Sequence, residues 1–435
     1  MAAALRARRR RPDLDITVVE SGPYLACANC SIPAYLDGRL ESIESLQNLT
    51  PEQATQEHRL NVLIRHLALE IDPRRHALKV RNLDTDQEFS LPYHRLILAT
   101  GARPIIPPIP NVRARGIFTL RHLQDAQALR HYLETRQPRH FVVVGTGTIA
   151  QVCAASLRSY GMEVMFIGQD QALMADLEKP INERIYETLL ANRITVYFAD
   201  NIISVKVSIE NEVQGLELPG RQLICDGILF ALGVQPNTSL AQTADLDLGI
   251  SGAIRVDRHL VTSRQAIYAC GDCAHTTLRI NHKPFYWPLA ATANRQGRQA
   301  GENASGGQGE DAGTLAARIW RCFDLQIGRI GLSPFQAIEA GFKPKMISIK
   351  APSRAKFYGG EQLDLILIYD QQDGRILGAQ MASLEGILAR MNAVAAAIIG
   401  RLTLKDLEDL DFAYTPELSA LRDPLQIAAR QGRKH

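Results

Sequence analysis

The sequence carries little net charge and no long apolar run. Lysine and arginine number 49 against 46 aspartates and glutamates, for a formal net charge of +3. So small an excess argues against a nucleic-acid partner, which selects a strongly basic surface. The longest apolar stretch near the C-terminus, Ala393 to Gly400, is too short to cross a bilayer. The start shows no apolar core followed by a cleavage site, so no secretory signal is expected. The eleven histidines have no metal-ligand spacing. Seven cysteines, an odd number without framework spacing, predict a reducing, cytoplasmic setting.

What is present reads as a soluble globular chain. Its 435 residues, 46% hydrophobic and 22% charged, suit more than one domain. The one dense basic run, Arg6 to Arg11, reads as a solvated helix end in preference to a phosphate contact.

Two halves of dinucleotide-binding type are visible. The second is complete. Phe141 to Val144 reads as a buried strand, followed by Gly145-Thr-Gly147-Thr-Ile-Ala150, a helix to about Tyr160, and a strand from Val164. Gly145 permits a tight turn, Gly147 lets the backbone approach a pyrophosphate, and Ala150 allows close helix packing. The first half is incomplete. A short alanine-rich helix end leads into the strand Ile16 to Val19, which closes on Glu20, an acid placed to hold a ribose hydroxyl. The strand and glycine loop expected before that helix are absent. Either they lie upstream of Met1, the reading we favour, or the protein lacks them.

Ten residues past Glu20 comes Cys30, in Cys27-Ala-Asn29-Cys30-Ser-Ile-Pro33. The pattern predicts a helix opened by Cys30, with Pro33 in its first turn. A thiolate there gains from the helix N-terminus and becomes a nucleophile. Cys27 reads either as a small buried hydrophobe or as a thiol that resolves Cys30. Cys270 and Cys273 lie within a glycine-acid turn and read as packing residues, as do Cys153, Cys225 and Cys322. No metal site is expected. Strand-and-turn segments 95–104 and 263–274 flank proline-bearing crossings at Pro104 to Pro110 and Leu229 to Pro236. Segment 301–313 reads as a linker. Beyond it, alternating strands, an Asp373-Gly374 hairpin signal and a helix over 385–399 form an α+β unit.

In this order, acid-ended strand, ANCxxP, LILATGARP, GxGxxA, IYACGDCA and an α+β tail with AYTP, the chain resembles the flavoprotein disulfide reductases of the pyridine-nucleotide class. It is most similar to their single-cysteine branch of coenzyme A-disulfide reductases, NADH oxidases and peroxidases, and persulfide reductases. The lone cysteine at this place, where another branch has CxxxxC, carries that finer likeness.

The resemblance implies an α/β fold of two Rossmann-like domains, binding FAD and NAD(P)H, plus a C-terminal α+β dimerisation domain. Its boundaries would be 1–110 and 233–313 for the FAD domain, 111–232 for the NAD(P) domain and 314–435 for the tail. It implies FAD contacts at Glu20, Thr100, Gly101 and Asp272, and further cofactor contacts at Arg103, Gly233 and Gly271. Gly145, Gly147 and Ala150 would serve NADPH or NADH. Cys30 would be the redox cysteine, with Asn29 and Tyr358 toward substrate and Tyr414 of a partner subunit assisting the thiol. The partners implied are a small thiol, disulfide or persulfide and a second copy of the chain, with no nucleic acid and no membrane. Reducing equivalents would pass from NAD(P)H through the flavin to an oxidised Cys30.

Four departures stand against that pattern. The FAD glycine loop is missing. Thr148, Gln151 and Gly168 replace a usual tyrosine, glutamate and strand-ending acid, and loss of the last leans toward NADPH. Cys27 is an added cysteine. Leu418 replaces an aromatic frequent in the coenzyme A reductases. Three functions follow as expectations: a disulfide, persulfide or polysulfide reductase first, then an oxidase or peroxidase cycling Cys30 through sulfenic acid, then a redox-sensing or binding protein without turnover.

Overall fold

The computed structural model describes residues 1–169, 172–199 and 201–434. The chain forms two compact units. The first comprises Met1–Ile105, Thr119–Glu134 and Gly233–Thr314; the second comprises Ile106–Phe118, Thr135–Leu232 and Leu315–His435.

In the first unit the alanine-rich start is a nine-residue helix, Ala2–Arg10, with Ala3 and Ala7 buried one turn apart. Small residues on both sides let it lie close on the helix Ala290–Ala304. A Cβ on Gly301 would fall 2.1 Å from the Ala3 carbonyl oxygen, so only glycine fits there. Segment 301–313 is therefore not all linker: its first residues continue the helix, and their small size serves packing. The basic run is tied down as well. Arg6 and Arg10 hold Glu302 at 2.5 and 2.6 Å, and Arg8 donates to the carbonyls of His58, Arg59, Pro12 and Leu14.

The acid-ended strand is Thr17–Glu20, paired in parallel with Asn61–Ile64. Leu96–Leu98 pairs in parallel with Ile267–Ala269. These are two separate two-stranded sheets. Ala102–Pro104 pairs antiparallel with Val234–Pro236, so the two crossing segments run side by side.

The second unit holds a five-stranded parallel sheet in the order Ile117–Phe118, Gly227–Phe230, His140–Val144, Glu163–Gly168, Ile194–Phe198. Phe141 to Val144 are all buried, as a central parallel strand demands. The C-terminal segment adds a five-stranded antiparallel sheet, in the order Arg318–Cys322, Leu325–Gly331, Ile376–Ser383, Gln362–Asp370, Pro344–Pro352. The Asp373-Gly374 turn joins its two most buried strands; Asp373 accepts from the Arg375 amide at 2.9 Å, and Gly374 has φ +76°. The helix Ile387–Ile399 covers this sheet, with Gly328 leaving room for Met391. Buried Gln151 ties the helix Thr148–Ser159 to the antiparallel sheet: it donates to the Thr146 carbonyl and accepts from the Trp320 indole, each at 2.8 Å. Among the described residues no helix is long and apolar enough to cross a membrane.

Candidate active site

The thiol segment is built from a two-residue strand, Ala26–Cys27, and a 3₁₀ turn, Asn29–Ser31, with Cys30 at its centre. The helix begins after it, at Ile32, and runs only to Leu36. Cys30 thus precedes the helix instead of opening it. Only five residues stand behind that N-terminus, so little macrodipole is available to the thiol. Ser31 is the cap, and Pro33 sits in the first turn as the sequence requires.

Of the seven cysteines, Cys30 alone is exposed. Cys27 is half-buried, and burial with the nearby Glu20 charge pushes its thiol up to about 11. The other five are buried. Burial pushes Cys153, Cys225, Cys270 and Cys322 up to about 12, and raises Cys273. Cys273 is further engaged by the Leu98 and Cys270 carbonyls. Such thiols stay protonated and pack.

In the same unit a cavity of about 190 Å³ is lined by small residues, among them Ala99, Gly101, Gly271 and Gly297, together with Met1 and Asp272. Gly101 and Gly271 have φ of +68° and +77°, which turns the chain sharply out of the two parallel strands. Asp272 pairs with Arg121 through Oδ2, while its Oδ1 is buried with no partner among the described residues. A carboxylate with a spare acceptor beside a glycine-walled cavity fits a hydroxyl-rich chain such as the ribityl of FAD. The volume suits part of a dinucleotide. Glu20 ends its strand as expected, and its Oε1 accepts from the Gly22 amide at 2.7 Å.

Thr100, Gly101 and Arg103 converge on Asn237, which sequence reasoning missed. The Thr100 hydroxyl donates to the Asn237 carbonyl at 2.6 Å, and the Asn237 amide group donates to the Thr100 carbonyl at 2.9 Å. Asn237 also donates its backbone amide to the Gly101 carbonyl, and Arg103 reaches its side-chain oxygen at 3.3 Å. Gly233, at φ +94°, accepts from the Ile105 amide in the same crossing. The one available signal for Asn237 was its place directly after Gly233-Val-Gln-Pro236.

In the second unit, Gly145 at φ +114° closes the turn; a Cβ there would meet the Ala231 carbonyl oxygen at 2.4 Å. Gly147 caps the helix Thr148–Ser159 and faces open space, and Ala150 is fully buried beneath. The Thr148 hydroxyl is buried without a partner among the described residues. An open glycine at the helix start and an unpartnered hydroxyl among the described residues fit a pyrophosphate. Gly168 ends the next strand with no carboxylate, and a Cβ there would lie 3.0 Å from the Phe198 ring. Tyr358 and Tyr414 are about half exposed, at 48% and 49%, and Leu418 is exposed.

The decisive match is with family models. Residues 1–297 match the pyridine nucleotide-disulphide oxidoreductase model, and residues 321–424 match that family's dimerisation domain. The chain belongs to this family. A relative from Pyrococcus furiosus, named NAD(P)H sulfur oxidoreductase (CoA-dependent), is 31% identical over 99% of this chain and 96% of its own length. A coenzyme A disulfide reductase of Staphylococcus aureus is 26% identical over 98% and 95%. Among solved structures, the reduced CoADR-RHD of Bacillus anthracis superposes with a TM-score of 0.95 at 29% identity, over 100% of this chain and 78% of that one. A NAD-dependent persulfide reductase from A. fulgidus gives 0.95 at 30%, over 100% and 81%. The protein is an oxidoreductase of the family that works with FAD and NAD(P)H, and its α/β fold is that of the flavoprotein disulfide reductases.

Proposed function

We propose that this protein reduces a small disulfide, persulfide or polysulfide, with Cys30 as the thiol that meets substrate. The observation that carries this reading is that Cys30 is the one exposed thiol of the seven, with Cys27 half-buried and the other five buried. When bound, NAD(P)H would supply through FAD the two electrons of each turnover, which return a mixed disulfide on Cys30 to the Cys30 thiolate and a free thiol. The Cys30 thiolate attacks one substrate sulfur, forms a mixed disulfide and expels the other half as a thiolate. Asn29 lies on the same 3₁₀ turn and offers a polar side chain to the incoming group. Tyr414, half exposed, is a proton donor for the leaving thiolate when presented by the partner of a homodimer. Gly168 supports NADPH as the donor, because the strand-end carboxylate that would hold a 2′-hydroxyl is absent.

The test is NADPH consumption with coenzyme A disulfide, a glutathione-type disulfide or polysulfide, set against hydrogen peroxide. If thiol–disulfide exchange at Cys30 is the working chemistry, a sulfur substrate should raise turnover at least about tenfold over peroxide. Equal or faster turnover with peroxide would assign the chain to the oxidase and peroxidase reading.

Cys27 supports a second reading, in which it closes a disulfide with Cys30 and expels the bound thiol. Its raised pKa sets the conditions. With a pKa of about 11, only on the order of one Cys27 in a thousand is thiolate at pH 8. Iodoacetamide at pH 8 should label Cys30 and spare Cys27, with Cys27 labelling rising as pH approaches 11. If Cys27 resolves Cys30, substoichiometric oxidant should give a Cys27–Cys30 linkage by mass spectrometry. Its absence after oxidation of Cys30 would return Cys27 to packing.

A further inference from the structure

Arg121 has no place in the family-type reading above, yet among the described residues it makes the one ion pair to Asp272. Its guanidinium Nη2 pairs with Asp272 Oδ2, and the two side chains are 23% and 12% exposed. The same nitrogen stands 4.0 Å from where a Cβ on Gly101 would be, so it spans both glycine turns of the cavity wall. Arg121 is itself fixed. Its backbone amide and that of His122 donate to Asp125 Oδ2 at 2.8 and 2.9 Å, at the start of the helix Leu123–Arg136. The Asp272 backbone is held from the other side by the Tyr286 hydroxyl, 2.9 Å from its carbonyl oxygen. Both ends of Asp272 are thus clamped, and what remains is one oxygen, Oδ1, buried and without a partner among the described residues.

An orphaned buried carboxylate oxygen costs free energy unless a ligand completes it. Arg121 offsets that cost by neutralising the charge through Oδ2, and it fixes the rotation that leaves Oδ1 free. We propose that Arg121 is a positioning residue for the flavin: it orients Asp272 so that Oδ1 accepts a hydroxyl of the cofactor's polyol chain. The proposal rests on the reading of Asp272 as a cofactor ligand. Because the pair meets through a single nitrogen, a lysine charge can substitute, whereas a neutral side chain leaves the carboxylate free to turn toward other donors.

The experiment is a binding cycle on the full-length chain stripped of flavin and titrated with FAD by fluorescence. Variants are Arg121→Met, Arg121→Lys, Asp272→Asn and the double Arg121→Met with Asp272→Asn. Arg121→Met should weaken FAD at least tenfold, while Arg121→Lys stays within about threefold of the parent. In the Asp272→Asn background Arg121→Met should cost nothing further, which is the signature of action through Asp272. A general loss of structure would move both backgrounds alike. If Arg121→Met fails to fold, Arg121→Lys decides: loss of FAD as complete as in Asp272→Asn overturns the proposal. FAD affinity of Arg121→Met within twofold of the parent, or a penalty that adds to Asp272→Asn, overturns it too. If Asp272→Asn itself binds FAD normally, the ligand reading of Asp272 falls, and the role of Arg121 with it.

Discussion

Cys30→Ser should abolish disulfide and persulfide reduction, by about 10³-fold or more, and leave the fold and the bleaching of flavin by NAD(P)H intact. The size follows from chemistry. A serine hydroxyl is not ionised near neutral pH, is a far weaker nucleophile than a thiolate, and has no disulfide state to accept electrons. The selectivity follows from placement. Cys30 is exposed on a 3₁₀ turn, and an exchange of sulfur for oxygen at such a site moves stability by roughly 0.5 kcal/mol or less. Loss of turnover at unchanged melting temperature therefore reports on the thiol itself. No buried cysteine can stand in: Cys153, Cys225, Cys270 and Cys322 have thiols pushed to about 12, and Cys27 sits at about 11. Stopped-flow absorbance would follow flavin bleaching, and a thiol-release assay would follow the sulfur chemistry. Disulfide turnover retained by Cys30→Ser would remove this residue from the mechanism. Peroxide-driven turnover lost at the same time would tie any side activity to the same sulfur.

Much of the fold could be read from local pattern. The apolar strand ending on Glu20, the Gly145–Ala150 turn and the Asp373-Gly374 hairpin each carry their information within a few residues, where periodicity and turn chemistry decide the outcome. The misreadings have a common cause. Segment 301–313 reads as a linker because its residues are small and polar, yet Gly301 is there to admit the Ala3 backbone from almost three hundred residues away. Cys30 was expected to open a helix, but Ser31 takes the cap and the turn before it is 3₁₀. Arg121 and Asn237 escaped notice because their partners lie far along the chain. Arg121 meets Asp272 across 151 residues, and Asn237 meets Thr100 across 137. A lone arginine or asparagine in a sequence carries no sign of such a partner. The Gln151–Trp320 bond, across 169 residues, is of the same kind. At Gln151 the departure from the family pattern was visible, but its consequence, a neutral side chain that can both donate and accept, needed the structure.

Gly145→Ala should have the second large effect, and paired with Gly147→Ala it separates what the fold needs from what the nucleotide needs. Gly145 has φ +114°, and its added methyl would stand 2.4 Å from the Ala231 oxygen and 2.9 Å from the Ala231 carbon. Neither neighbour can yield freely. The Gly145 amide donates to the Ile167 carbonyl, and the Ala231 amide donates to the Val144 carbonyl, each at 2.8 Å. Backbone strain of about 1–3 kcal/mol adds to overpacking of about 1–3 kcal/mol. Gly145→Ala should thus lower the apparent melting temperature and, by shifting the turn, raise the KM for NAD(P)H about 100-fold. Gly147 differs. Its φ of −70° is ordinary for alanine, and a Cβ there meets nothing within 4 Å. Gly147→Ala should melt like the parent and still raise the KM about tenfold, because the methyl occupies the space through which a pyrophosphate reaches the helix-start amides. Calorimetry and NAD(P)H titration on the two variants give the comparison. An unchanged KM in Gly147→Ala would place the nucleotide elsewhere, and a Gly145→Ala variant that melts and binds like the parent would refute the steric argument at the turn.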